Sequence, residues 1–145
     1  MRAMIGCAGL AVILLSACSR ELVKDEIAID KYHQANGLFE EGKYADCIPL
    51  YEYAIRWRDQ ILDAYIKLAV CYGRIDRPEN AVAVLEKLRK VDRLHVPGMR
   101  ALARAYEKIG NLGGAIEMQK GILDENANDT EAQKELFRLR KESGG

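Results

Sequence analysis

An all-α solenoid of stacked helical hairpins is the fold this sequence predicts, and three observations carry the prediction. Ala35, Ala69 and Ala103 are evenly spaced along the chain. Leu38, Tyr72 and Tyr106 repeat at the same interval, and so do the small residues Cys47, Ala81 and Ala115. Between them, each period holds two apolar stripes of helical spacing separated by a turn. Series in step at one period of about 34 residues mark a repeat architecture, in which each unit buries its apolar face against the next.

Composition is consistent with that architecture. Of the 145 residues, 49% are hydrophobic and 30% charged, too apolar a balance for a disordered chain. The 22 basic and 22 acidic side chains cancel. No global field therefore draws the chain to nucleic acid, and any charge-based function has to come from local patterning.

The elements follow in order. Residues 1–17 carry Arg2, an apolar run from Ala3 to Leu15 and the small residues Ser16 and Ala17 before Cys18. The run is well short of the ~20 apolar residues that span a bilayer, and its layout predicts a secretory signal peptide. Residues 18–27 are expected to form a short tether, reaching only roughly 25–30 Å if extended. From Glu21 onward the segment lacks Gly and Pro, so the first helix is free to grow into it. The repeats then occupy 28–61, 62–95 and 96–129, and a capping helix follows at 130–142. In the second unit Tyr65, Leu68, Ala69 and Tyr72 share one helix face, and Ala81, Val84, Leu85 and Leu88 share the next. Asp76 is expected to cap that second helix, with Glu79 three residues on and Pro78 in the first turn. Pro49 falls inside the second helix of unit one, where it predicts a kink on the outward face. In the last helix Thr130 and Gln133 suggest a capping box, and Ala132, Leu136 and Leu139 form the stripe that covers unit three.

Two resemblances extend this reading. Leu15-Ser16-Ala17-Cys18 resembles the lipobox of bacterial lipoproteins. That resemblance implies diacylglycerol on the Cys18 thiol, cleavage before it and acylation of the new N-terminus, a durable anchor because it sums several chains. The alternative is a plain signal peptide cut near Ala17. In a Gram-negative host, Ser19 in place of Asp implies the outer membrane, facing the periplasm. The repeat itself resembles the tetratricopeptide repeat, a helix–turn–helix unit of the same period. Tyr65, Leu68, Ala69, Tyr72, Ala81 and Leu85 match its signature in unit two, Ala35, Gly42, Tyr44, Tyr51 and Ala54 in unit one, and Leu102, Ala103, Tyr106 and Ala115 in unit three. Gln119 stands where a large residue is usual. The closing proline is missing from each unit, with Asp59, Arg93 and Ala127 in its place.

The resemblance implies a concave groove lined by the first helix of each unit, and it assigns candidate contacts by position. They are Tyr32, Asn36 and Phe39, with Glu40 beside them, in unit one. Unit two offers Ile66, Lys67, Val70 and Arg74, with Gly73 between them, and unit three Arg100, Arg104 and Lys108, with Glu107 alongside. The three basic residues of unit three lie at i, i+4 and i+8, one stripe. Such a groove suits an extended or helical partner segment bearing acidic and apolar residues. Charge reversal at Arg100 and Arg104 is then expected to abolish partner capture and leave melting unchanged. Some members of the family clamp a C-terminal carboxylate. Asn36 matches that clamp, whereas Tyr32, Lys67, Pro97 and Ala101 depart from it.

Residues for chemistry are scarce. His33 and His95 lack a second ligand at metal-site spacing, and neither a phosphate loop nor a nucleophile elbow is present, so no metal, no cofactor and no catalysis are expected. Cys47 and Cys71 read as small packing residues, with a disulfide between neighbouring units as the alternative. The sequence thus predicts a lipid-anchored scaffold or adaptor that binds protein partners in the bacterial envelope, assisting assembly of a complex such as a pilus or secretion system. A regulatory module for a cell-wall hydrolase or protease is the second reading.

Overall fold

The computed structural model describes residues 7–144, with side chains from residue 23 onward. Among them it forms seven helices and no strand: α1 (Cys7–Glu40), α2 (Tyr44–Trp57), α3 (Leu62–Arg74), α4 (Pro78–Val91), α5 (Val96–Lys108), α6 (Leu112–Glu125) and α7 (Thr130–Ser143). Each helix packs on the next, and α3 also touches α1 and α5. The first helices of successive hairpins therefore line up as neighbours, which is what lets them share a face.

Why the hairpins repeat is visible in their turns. Gly42 and Gly110 adopt φ of 75°, and Asp76, one period from each, adopts 59°. A left-handed residue after a helix lets the chain reverse while the last carbonyls still find donors. Here the carbonyls of Leu38, Tyr72 and Tyr106 accept from the amides of Lys43, Arg77 and Asn111 at 2.9, 2.9 and 2.8 Å. Asp76 is thus the turn residue and not a cap. The N-cap of α4 is Arg77, and it makes no side-chain bond to the helix.

The caps that do form lie further along. His95 Nδ1 accepts from the Gly98 amide at 3.2 Å, Asn111 Oδ1 from Gly114 at 2.9 Å and Asp129 Oδ1 from Ala132 at 2.9 Å. His95 therefore closes a helix end. The expected box of Thr130 and Gln133 is displaced by one residue. Asp129 takes the cap because Thr130 is already the first residue of the helix, and Gln133 Nε2 turns back to the Ala127 carbonyl at 2.7 Å.

The core is built from the periodic positions. Ala35, Ala103, Cys47 and Ala115 are fully buried, and Ala69 and Ala81 nearly so. These small residues let the helices approach, while Tyr51, Leu68, Leu88, Leu102 and Ile122 fill the space between hairpins. Ala132, Leu136 and Leu139 of α7 close the stack, as their stripe predicts. Gln119 is buried with its Oε1 unpaired, the polar exception in this layer. Pro49 is exposed inside α2, and the helix continues past it to Trp57.

At the other end, α1 runs unbroken from Cys7, so residues 18–27 form helix and not an extended tether. At ~1.5 Å per residue a helix spans less than half the reach of an extended chain. The predicted anchor, the Cys18 thiol, lies outside the described side chains. Among the described residues no helix is long and apolar enough to cross a membrane.

Candidate functional site

A groove of about 610 Å³ opens between α3 and α5, with α4 beneath it. Its floor is apolar: the periodic small residues Ala69 and Ala81 meet Ala101 and Ala105 there, with Leu85 behind them. Ile66 and Val70 stand along one wall. Arg74, Arg104 and Lys108 form the rim, and no carboxylate lines the groove. The Arg74 guanidinium is held 5.6 Å from the Tyr44 ring, which positions the charge without neutralising it. Arg104 is 73% exposed and makes only a long 3.4 Å contact with Glu131. Among the described residues Lys108 has no ion-pair partner.

The structure divides the ten residues assigned to the groove into three groups. Ile66, Val70, Arg74, Arg104 and Lys108 line the cavity. Tyr32, Asn36, Phe39 and Lys67 are brought together elsewhere, at the α1–α3 junction. Lys67 Nζ donates to Asn36 Oδ1 at 2.8 Å and pairs with Asp63 at 3.1 Å. Tyr51 also donates to Asn36 Oδ1, at 2.8 Å, and Tyr32 donates to Asp63 at 2.7 Å. Phe39 packs edge-on to Tyr44 and Tyr51. The aromatic end of the expected groove is thus occupied by its own side chains.

Arg100 forms the third group, and here the expectation fails. Its guanidinium pairs with the Asp129 carboxylate and, at 2.9 Å, with Glu131, and only 22% of the side chain is exposed. The bond from the Ala132 amide, followed by Arg100, holds the Asp129 carboxyl below its ordinary value. Arg100 therefore latches α7 to α5 and is not part of a free basic stripe. Glu107 is withdrawn in the same way, accepting from Arg138 Nη2 at 2.6 Å. The i, i+4, i+8 spacing does define one helix face, but the acidic N-terminus of α7 covers its first residue.

The contribution of α4 escaped sequence reasoning. Pro78, Ala81 and Leu85 border the cavity, although attention to the first helices alone passes over them. The signal lay in the paired small residues Ala81 and Ala105, which leave space where larger side chains would fill it.

No protein-family model matches the chain. The DnaJ homolog subfamily C member 7 homolog of Schizosaccharomyces pombe is 25% identical over 114 residues, 76% of this chain. The chain spans only 24% of that relative's length. Among solved structures, the first TPR of Spaghetti (RPAP3) bound to the HSP90 peptide SRMEEVD superposes with a TM-score of 0.74 at 18% identity, covering 83% of this chain and 96% of that one. The second TPR domain of human RPAP3, in complex with the HSP70 peptide SGPTIEEVD, gives 0.71 at 22% identity over 81% and 98%. The Yersinia enterocolitica type III secretion chaperone SycD, with a peptide of the translocator YopD, gives 0.69 at 15% identity over 79% and 92%. The fold is accordingly an α-solenoid of tetratricopeptide-type hairpins. Three such hairpins and a capping helix make up its described part.

Proposed function

We propose that this chain is a protein-binding module that holds a partner segment carrying acidic and aliphatic side chains in the groove between α3 and α5. One observation carries the reading: an apolar floor rimmed by three cationic side chains with no acidic residue among its lining. A segment presenting aliphatic side chains to Ala69, Ala81, Ala101 and Ala105 would place its carboxylates against Arg74, Arg104 and Lys108. Similarly folded domains solved with the acidic peptides SRMEEVD and SGPTIEEVD support a peptide as the ligand class. The module works by capture, with no catalysis of its own. Its setting in this reading is the bacterial envelope, anchored through lipid on Cys18, where it acts as a scaffold in assembling a complex. The motif at Cys18 supports that setting.

The groove is tested by envelope affinity purification of the lipidated protein beside its Arg104→Glu/Lys108→Glu variant. We expect the variant to lose its partner while keeping its helicity and melting temperature, since Lys108 makes no ion pair among the described residues and the exposed Arg104 makes only the long contact with Glu131. Equal recovery by both proteins would refute the groove. The anchor is tested separately, by Cys18→Ser and detergent partitioning. An unmodified thiol at the processed N-terminus of the wild-type protein would refute it.

A further inference from the structure

We propose that Cys47 and Cys71 are a disulfide pair, and that their bond staples the first repeat to the second. Two independent observations carry it. The two thiols are free in the structure, but their sulfurs lie 2.7 Å apart, inside the contact distance of non-bonded sulfur atoms, so the fold already holds them within bonding reach. The second observation is positional. At the following junction the residues one period on are Ala81 and Ala105, and both border the same cavity. The equivalent pair at that junction packs as two alanines, so the position asks for a small residue and not for sulfur, and at this junction both residues are cysteine.

The bond would join α2 to α3, the second helix of one hairpin to the first of the next. A solenoid holds together through such neighbour interfaces, and its terminal repeat is supported on one side only. The staple restrains that repeat and fixes the C-terminal half of α3, the helix that also carries Ile66, Val70 and Arg74.

The chemistry is thiol–disulfide exchange with a small or protein disulfide as oxidant. One cysteine thiolate attacks the oxidant and releases one of its sulfurs as a thiol, leaving a mixed disulfide. The second thiolate then displaces the other sulfur and closes the protein bond. Two S–H bonds are lost, and the oxidant leaves as two thiols. Both cysteines are fully buried, and burial pushes both thiols above their ordinary pKa. Exchange is therefore closed once the hairpins have packed, so the bond forms during assembly and persists afterwards.

The test refolds the full-length protein from reduced, denatured material in a buffer of glutathione and glutathione disulfide. Alkylation under denaturing conditions and trypsin digestion follow. Cleavage after Lys43, Arg56, Lys67 and Arg74 isolates the two cysteines on peptides 44–56 and 68–74. We expect these peptides joined, lighter by two hydrogens than the sum of the free pair. Complete reduction should lower the melting temperature by about 5–15 °C, from the entropy of the closed loop. In the Cys47→Ala/Cys71→Ala variant, which copies the following junction, melting should not respond to reductant. Recovery of Cys47 and Cys71 both alkylated after refolding, or joined to Cys7 or Cys18 instead of to each other, would overturn the proposal.

Discussion

Asp76 shows how one residue can carry a repeat's geometry against its own preference. Its φ of 59° is the conformation that Gly42 and Gly110 adopt at the equivalent turns, and a side chain there costs energy that glycine avoids. Asp76→Gly should therefore stabilise the protein by about 0.5–1 kcal/mol, and Gly110→Ala should destabilise it by about 1–2 kcal/mol. Nothing lies within 4 Å of a Cβ added at Gly110, so that cost is one of backbone alone. Urea titration of the two variants checks both signs. The sequence marks all three turns by spacing, but aspartate at a helix boundary reads equally well as a cap. Only the backbone distinguishes the two roles.

At the level of elements, a second periodic interaction joins successive hairpins. Tyr72 donates to Glu52 at 2.6 Å and Tyr106 donates to Glu86, and both members of each pair stand one period from their counterparts. Burial first, then the carboxylate partner, pushes both tyrosine pKa values up to about 12. The folded state thus favours the protonated phenol. Its contribution is complete below the unfolded tyrosine value near 10 and is lost as pH rises from there through about 12. Tyr72→Phe/Tyr106→Phe should cost about 1 kcal/mol per bond at neutral pH and flatten the alkaline limb of a stability–pH profile. The α7 latch belongs to the same scale. Arg100→Glu would face Asp129 and Glu131 with a like charge and should lower the melting temperature, by less than at a fully buried pair because Glu131 is half exposed. Charge reversal at Arg100 would therefore confound any binding experiment, and the groove is better probed at Arg104 and Lys108.

For the molecule as a whole, zero net charge coexists with a cavity of one sign. The separation arises because Glu107 of α5 and Asp129 and Glu131 at the start of α7 are drawn into interhelical pairs, leaving Arg74 and Lys108 without an acidic partner among the described residues and Arg104 with only its long contact to Glu131. Partner binding in that groove should weaken as salt rises from about 0.1 to 1 M, over which the Debye length shrinks from ~10 to ~3 Å. Titration of the captured partner at several ionic strengths measures it, and the Arg104→Glu/Lys108→Glu variant should be inert throughout.

By itself the sequence determined the repeat, its period, the order of the helices and most of the buried small residues. All of these follow from local periodicity, because each helix must turn the same face to its neighbour. Tertiary structure alone decided which members of the predicted groove remain open. Arg100 shares a helix face with Arg104 and Lys67 with Val70, and Asn36 stands one period before Val70, yet side chains of neighbouring helices claim the first of each pair. A helix face is legible in spacing, whereas its vacancy depends on residues that are distant along the chain and adjacent only after folding.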